Sequence, residues 1–535
     1  IQQTPPRHPS NTTSKQTMDQ QPPHPETPEE KAARKAAKAA RKAKERLPQR
    51  THPWSDFQHQ SCGWLNFPLF GVAIGPSPYD ENEFVVVAVG GGGSSKSGVP
   101  NGIFMTTVSQ HHPNTATARF GHTSEQFIDK GSVLPFAVSL SSLELNLAAI
   151  TIGPMVHLHT FNADRSIGLE ELTAFKADFC VDKPADVHHV QFTNHHIVTA
   201  GAERIIRVWT IAVDKNPCSI ELMAEFQCIL KDINDIDTCM LRRNNVLQLN
   251  IGAASDDGHL RVWNLNVHEQ PPTTDGPGNT ISSALVSTMT IPTSDDGNRH
   301  KRAGKAIFKT VRFGAATGEP VDRPAHYLLF GVQSRLNRGS SFLVVWRLST
   351  TDGAMYEELS RIKIFGGTED KVRTMALACC EPANLNTVTV AFGSAGGLVC
   401  AAHVNETTGW STVVGQDTRH ATIVSDICAI AMAGNTVNDV CVVTTSMDKG
   451  VVFHGVAGLV EKTTAVKRKR CCVNLIVLVV FVLLGCLGCW YTGVVDEATV
   501  VGWKTQVDTH VQRVLGSAGV GGVVGGDDDQ VVLGN

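Results

Sequence analysis

Lys96 and Ser97 come nearest to a recognisable chemical motif in this chain, because they follow a run of four glycines, Gly90–Gly93. A lysine and a hydroxyl beside glycines can hold the phosphates of a nucleotide. That motif needs a glycine directly before the lysine and a helix after it. Here Ser95 precedes Lys96, and an apolar, strand-like run at 102–108 follows. The segment is therefore not predicted to bind a nucleotide.

Three histidine pairs are the second feature that could do chemistry, as ligands of a metal ion. The pairs are His111–His112, His188–His189 and His195–His196. Neighbouring residues on a strand point to opposite faces, so each pair offers only one ligand to a given site. The sequence also lacks a nucleophile elbow, a zinc motif and a suitably spaced pair of carboxylates. We therefore predict a protein that is not an enzyme of covalent chemistry.

The composition restricts the class of protein further. A net charge of −4 argues against a nucleic-acid-binding protein, which needs a positive surface. A hydrophobic fraction of 42% is enough to build a core. Fourteen cysteines, of which only Cys486 and Cys489 have Cys-x-x-Cys spacing, indicate a reduced protein without a disulfide framework.

The elements that must position any site come from an internal repeat. Nine-residue segments, each a polar turn followed by a strand, begin at residues 99, 151, 201, 255, 338, 394 and 446. A period near 50 residues with several short strands in each unit is typical of β-propellers. We therefore predict an all-β fold, a seven-bladed WD-type β-propeller over residues 67–462, with a lead-in at 51–66.

The repeat also gives its tryptophans a role. Trp209, Trp263 and Trp346 end three of the segments at the same register position, which favours packing in the core or between blades over base stacking. Asp257 and Asp448 are predicted turn residues before a third strand. We predict no catalytic role for any of the five.

Residues before the repeat are polar and lack the apolar core of a secretory signal. Residues 1–28 are rich in Pro, Gln, Ser and Thr, and residues 1–50 are predicted to form a disordered tail. Ala, Lys, Arg and Glu dominate 29–46 and predict a helix there.

An uncharged segment of 21 residues, Cys471 to Tyr491, follows the repeat. As a helix it would span about 31 Å, against a hydrocarbon core of about 30 Å. A cluster of basic residues precedes it and indicates the cytosolic side: Lys467, Arg468, Lys469 and Arg470. We therefore predict a single-pass type II membrane protein with a cytosolic propeller and with residues 492–535 as a short tail across the membrane.

The glycine-rich segment is predicted to join the second and third strands of the first blade. In an antiparallel blade, that connection lies on the same face as the connections between blades. Gly98 and Pro100 flank Val99, which is predicted to be displayed as an apolar wedge, while Asn101 is predicted to cap the turn or to offer its amide to a partner. An ordinary surface loop is the alternative.

The combination of a cytosolic propeller, a glycine-rich loop in its first blade, a basic stop and one C-terminal anchor resembles a known family. The loop from Gly90 to Gly102 is similar to the signature loop of the endoplasmic-reticulum guanine nucleotide exchange factors for the Sar-type small GTPase, the prolactin regulatory element-binding protein family of WD-repeat proteins. The resemblance covers about residues 67–491.

That resemblance implies a function and a set of residues. It implies GDP release from a Sar-type GTPase at the endoplasmic-reticulum membrane, which starts COPII coat assembly and endoplasmic-reticulum-to-Golgi transport, with a luminal tail. It also implies a potassium ion in the loop, as in at least some family members. By position, the residues that engage the GTPase are Gly98, Val99, Pro100 and Asn101, and those that shape the loop are Gly90, Gly91, Gly92 and Gly93.

Two other functions are alternatives, and they agree with the sequence to different degrees. A membrane-anchored WD-repeat scaffold for trafficking proteins, without exchange activity, would be preferred if the loop were absent. A transcriptional regulator conflicts with the net charge and the predicted anchor, and no nucleic acid is expected as a partner.

Overall fold

A computed structural model gives the fold of the repeat region. Its described residues are 62–92, 99–109, 121–128, 133–141, 145–162, 168–181, 184–212, 218–227, 231–243, 246–267, 283–290, 306–314, 328–335, 341–348, 356–365, 374–380, 387–405, 408–409, 411–418, 420–432, 439–456, 459 and 502. The predicted tail with its helix, the basic stop, the predicted membrane segment and, apart from Gly502, the residues after it lie outside these ranges. Among the described residues, no helix is long and apolar enough to cross a membrane.

The described strands form seven four-stranded antiparallel sheets. In six of them the strands follow one another in chain order from the first strand to the fourth. Sheet 1 contains β2 (Leu69–Pro76), β3 (Glu83–Gly90), β4 (Gly102–Ser109) and β5 (Thr123–Phe127). Sheet 2 contains β6 (Pro135–Leu140), β7 (Leu147–Ile152), β8 (Met155–Phe161) and β9 (Leu169–Lys176). Sheet 3 contains β10 (Val187–Thr193), β11 (His196–Gly201), β12 (Ile205–Ala212) and β13 (Ser219–Gln227).

The next three sheets have the same order. Sheet 4 contains β14 (Ile233–Arg243), β15 (Val246–Ser255), β16 (His259–Val267) and β17 (Ser283–Thr290). Sheet 5 contains β18 (Ala306–Phe313), β19 (Leu328–Arg335), β20 (Ser341–Leu348) and β21 (Tyr356–Phe365). Sheet 6 contains β22 (Thr374–Cys380), β23 (Thr387–Ser394), β24 (Leu398–Asn405) and β25 (Ser411–Thr418).

Sheet 7 joins the two ends of the repeat region. It contains β26 (Val424–Ala431), β27 (Val440–Ser446) and β28 (Gly450–Gly455), and its fourth strand is β1 (Cys62–Trp64). Cys62 pairs with Val452 and Trp64 with Gly450. The predicted boundary between lead-in and repeat at residue 67 is therefore too late, because a strand in the lead-in completes the last sheet.

Neighbouring sheets pack through their first strands. The first strand of each of sheets 1 to 6 contacts the first strand of the next sheet, and β26 of sheet 7 contacts β2 of sheet 1. Side chains strengthen these junctions: Asp426 accepts a hydrogen bond from the Val72 N–H at 2.8 Å, and Asp235 accepts one from the Val311 N–H at 3.0 Å. The prediction of an all-β fold with a propeller arrangement of four-stranded sheets is confirmed.

The predicted packing role of the tryptophans is confirmed. Trp209, Trp263 and Trp346 are all buried, and each belongs to an apolar cluster that joins two neighbouring sheets. The pairing with the fourth strand shifts register immediately before each of them. Each nine-residue segment found in the sequence leads into the third strand of one sheet. The sequence reveals these strands because the turn and the strand that follows it are close together along the chain.

Candidate functional site

The glycine-rich segment connects β3 to β4, the second and third strands of sheet 1. Successive connections of an antiparallel sheet alternate between its two ends. This one therefore lies at the end where the chain passes from sheet to sheet, which we call the loop face. Of the predicted site residues, Gly93 and Gly98 lie outside the described residues, as does Lys96.

Close packing fixes the base of the loop on the side of sheet 7. Gly90 pairs with Gly102 across β3 and β4. A Cβ atom on Gly90 would lie 2.0 Å from the backbone oxygen of Pro68, and one on Gly102 would lie 2.6 Å from the Phe67 ring. Phe67 is fully buried. Both glycines are therefore required by the chain segment that enters sheet 1, since a Cβ would collide with it.

Hydrogen bonds fix the loop base on the side of sheet 2. Asn101 is buried, and its Nδ2 donates to the Val133 backbone oxygen at 2.9 Å. The Asn101 backbone oxygen accepts from the Ile128 N–H at 2.9 Å. The sequence assigned Asn101 to the residues that engage a partner, whereas its position in the fold gives it a structural role as an anchor of the loop.

Gly91 completes this base. A Cβ atom on Gly91 would lie 2.0 Å from Asn101 Oδ1 and 2.6 Å from Asn101 Cα. The backbone of Gly91 therefore lies directly against the anchoring side chain. Next to the anchor, Val99 is half-buried and Pro100 is exposed. Within the described part of the loop, these two residues carry the accessible side chains beside the fixed base, where Gly92 is also half-buried.

Large apolar side chains are exposed on the loop face, which also carries this base. Trp64 ends β1 and is 43% exposed, Phe127 ends β5 and is 57% exposed, and Met447 lies in the β27–β28 turn. The apolar collar, as we call this set, consists of Trp64, Phe127, Val133, Phe136 and Met447. Exposed apolar groups that gather around one feature of a surface mark a site of protein contact.

Sequence reasoning missed the collar. Its members lie at strand ends and in connections of three different sheets, where no periodic pattern distinguishes an exposed apolar residue from a buried one. The only available signal was Trp64, a tryptophan in a segment predicted to precede the fold.

The histidine pairs do not form a metal centre within the described part of the chain, where no group of three or more His, Cys, Asp or Glu residues could hold a metal ion. Burial lowers the pKa of His189 to about 3 and that of His196 to about 4, so both are neutral at physiological pH. His111 and His112 lie outside the described residues.

The predicted turn role of Asp448 is confirmed in the β27–β28 turn. Its carboxylate accepts hydrogen bonds from the Ala421 N–H, from the Gly450 N–H and from His420 Nδ1, which lies 3.3 Å away. Burial alone would raise the pKa of Asp448, but these bonds hold it at about 2. Asp257 occupies the same position in sheet 4 and pairs with Arg261 at 2.7 Å.

Comparison with known proteins adds no assignment of function. The sequence matches no protein-family profile and no curated protein. Among solved structures, it is similar to a chain of the crystal structure of the mitotic checkpoint complex, with 11% identity, a TM-score of 0.45, and coverage of 77% of this chain and 99% of that one. The crystal structure of Saccharomyces cerevisiae Sqt1 is similar with 10% identity, a TM-score of 0.41, and coverage of 74% and 99%.

Proposed function

We propose that this protein is a guanine nucleotide exchange factor that promotes GDP release from a Sar-type small GTPase at the endoplasmic-reticulum membrane. The observation that carries the proposal is the fixed base of the β3–β4 loop. Gly90 and Gly102 pack against the chain that enters sheet 1, and Asn101 is bonded to the chain that leaves it. A long connection with such a base can be held rigidly against a partner.

An exchange factor needs this combination of length and rigidity. It makes no covalent bond, but binds the nucleotide-free GTPase more tightly than the GDP form and so shifts the equilibrium between the two. Displacing the nucleotide requires a loop that enters the switch region without yielding. Val99 and Pro100, which are accessible next to the anchor, are the described residues placed to make that contact, and Gly98 is proposed with them.

The apolar collar supplies the surrounding contact area. Exposed aromatic side chains are frequent in the central contacts of protein interfaces and dominate their binding free energy. Trp64 and Phe127 end the edge strands β1 of sheet 7 and β5 of sheet 1. We propose that the GTPase covers the collar while the loop reaches its nucleotide site.

The rest of the architecture follows from the same proposal. The seven sheets are the blades of one closed, seven-bladed WD-type ring, and residues 471–491 anchor it with its loop face in the cytosol and with 492–535 in the lumen. Anchoring raises the effective concentration of the exchange factor for a GTPase that acts on the same membrane. COPII coat components are then proposed as indirect partners, and no nucleic acid is expected.

A potassium ion in the loop is compatible with the described oxygen atoms. Asn101 Oδ1 lies against the Gly91 backbone. Backbone carbonyl oxygens are ligands that potassium prefers. Asn101 Oδ1 is therefore the side-chain ligand that we propose, together with backbone oxygens of the glycines Gly90, Gly91, Gly92 and Gly93.

The test is GDP release from a Sar-type GTPase, measured with the full chain in mild detergent. Val99→Ala is expected to reduce the stimulation at least fivefold with the fold unchanged, because it removes the accessible apolar side chain of the loop. Val246→Ala is the matched control, since Val246 is a valine with an accessible side chain too, but it begins β15 at the opposite face.

Two results would contradict the proposal in different ways. No stimulation by the unmodified chain, together with capture of trafficking proteins, would favour the scaffold. Equal stimulation by the unmodified chain and by Val99→Ala would keep the exchange activity and remove Val99 from its site.

A further inference from the structure

A row of three rings lies on the loop face, and one of them, Phe136, also belongs to the collar. Phe70 and Phe136 stack with centroids 5.7 Å apart and an interplanar angle of 7°, and the His188 ring lies 5.3 Å from that of Phe136. Each of the three is the second residue of a first strand, at a point where the pairing with the second strand shifts register. Phe136 is 39% exposed, so the row offers part of an aromatic face to a partner.

Asp186 lies next to this row, two residues before His188. Its backbone is fixed, because its N–H donates to Asp178 at 3.3 Å and its carbonyl accepts from the Ala202 N–H at 2.9 Å. Its carboxylate has no hydrogen bond or ion pair with the residues that the structure describes. Burial raises the pKa of Asp186. The neighbouring His188 acts in the other direction and lowers this pKa, but it makes no hydrogen bond with the carboxylate among the described contacts. A partly buried carboxylate without a hydrogen-bond donor costs free energy that a donor from a partner could recover.

The carboxylate also lies close to the loop anchor. A Cβ atom on Gly153 would be 3.8 Å from Asp186 Oδ1 and 2.6 Å from a methyl group of Val133. Val133 is the residue whose backbone oxygen holds Asn101. The aromatic row, the carboxylate and the loop base are therefore parts of one continuous surface.

The basic side chains of this region have other partners. Arg207 donates to Glu225 at 2.6 Å and also pairs with Glu203, and its guanidinium lies over the Phe179 ring. Lys176 lies over the same ring, 5.0 Å from its centroid. Neither forms an ion pair with Asp186 among the described contacts. His188 is the basic group that interacts with Asp186 there, and the hydrogen-bond acceptors of the carboxylate remain for a partner.

We propose that Phe136 and Asp186 form a subsite for an arginine side chain of the protein that binds the loop face. A planar guanidinium can lie against the exposed part of the Phe136 ring, which also packs against Phe70 and His188. It can donate two hydrogen bonds to the carboxylate at the same time. A lysine ammonium offers one point charge and no planar face, so it fits less well. The identity of that protein as the GTPase rests on the proposed function, whereas the chemistry of the subsite does not.

The experiment uses the full chain in mild detergent and two probes, a fluorescent tetra-arginine peptide and a nucleotide-free Sar-type GTPase. The variants are Asp186→Asn, which keeps the shape of the side chain, and Phe136→Leu, which keeps its apolar character. Asp80→Asn is the control, since it removes an exposed carboxylate in the β2–β3 connection at the opposite face. Tetra-lysine replaces tetra-arginine as the control peptide.

We expect each of the two variants to weaken binding of tetra-arginine and of the GTPase about tenfold, with Asp80→Asn unchanged and tetra-lysine bound more weakly than tetra-arginine. Equal binding of tetra-arginine by the unmodified chain and by Asp186→Asn would overturn the subsite. If the tetra-arginine results hold but the GTPase does not bind, the subsite stands and the proposed function fails. If the GTPase binds equally well to all forms, the proposed function stands and this subsite is not part of its interface.

Discussion

Sheets 1 and 7 differ in how the connection between their second and third strands is stabilised. In sheet 7 the second and third strands are joined by three residues, 447–449, whereas in sheet 1 they are joined by eleven, 91–101. The short turn is held from within, since Ser446 Oγ accepts from the Asp448 N–H at 3.2 Å and the Asp448 carboxylate accepts from the Gly450 N–H at 3.0 Å.

The long connection of sheet 1 is stabilised by contacts with chain segments outside it. Gly90 occupies the position of Ser446 and has no side chain with which to close a turn. Instead, its backbone packs against Pro68, and Asn101, which directly precedes β4, is bonded to Val133. Because the neighbouring chain segments hold both ends, the residues between them need not form a turn. The comparison shows how the connection at one repeat position can become long enough for binding while the sheet on either side of it keeps its structure.

The largest effect is expected from Gly90→Val. The added Cβ would lie 2.0 Å from the Pro68 backbone oxygen, and backbone cannot move aside as a side chain can. We expect a loss of about 3 kcal/mol in the free energy of unfolding, measured by urea denaturation. Ser446→Ala, the equivalent change in sheet 7, removes the hydrogen bonds of Ser446 Oγ with the Asp448 N–H and the Thr422 hydroxyl and is expected to cost about 1 to 2 kcal/mol. Similar losses for both variants would contradict this contrast between packing and hydrogen bonding.

A middle-sized effect is expected from removing the two anchoring side chains. Asp448→Ala removes an acceptor that serves His420, Ala421 and Gly450, and should cost about 2 kcal/mol. Asn101→Ala leaves the Val133 oxygen without its side-chain donor and should cost about 1 to 2 kcal/mol. Denaturation of both variants at pH 7 measures the difference, and a larger loss for Asn101→Ala would reverse our ranking of the two connections.

The smallest effect is a difference in pH dependence. The pKa of Asp448 is lowered to about 2 from an ordinary value near 4, so its contribution to stability is present above pH 4 and is lost as the pH falls toward 2. Asn101 does not titrate. Stability curves from pH 2 to 6 should therefore differ in slope between the unmodified chain and Asp448→Ala, but not between the unmodified chain and Asn101→Ala. Parallel curves for all three proteins would show that Asp448 is not linked to folding in this way.

The sequence predicted what is local and missed what depends on distant residues. The third strands were found because a polar turn and a Val-Trp ending lie within nine residues of each other, as at Trp209 and Trp263. Cys62–Trp64 was missed because a strand of three residues has no detectable period, and its partner Val452 is far along the chain.

The same reasoning separates the parts of the candidate site. The glycine run and its place between two strands were visible in the sequence. The role of Asn101 as an anchor was not, since it depends on Val133 and Ile128 from the connection to the next sheet. The exposure of Trp64 and Phe127 also depends on which neighbours cover them, and no pattern within their own strands records it.

The place of β1 has a consequence for the order of folding. Cys62 pairs with Val452, so this strand, although near the start of the chain, has no partner until nearly the whole repeat region has been synthesised. Contacts of such high sequence separation form late, because the entropy of closing a long loop must first be overcome. Phe67 and Pro68, which hold the loop base, follow β1 directly. The loop should therefore reach its final form only when the last sheet is complete, so that a nascent or truncated chain has no competent loop to offer a partner.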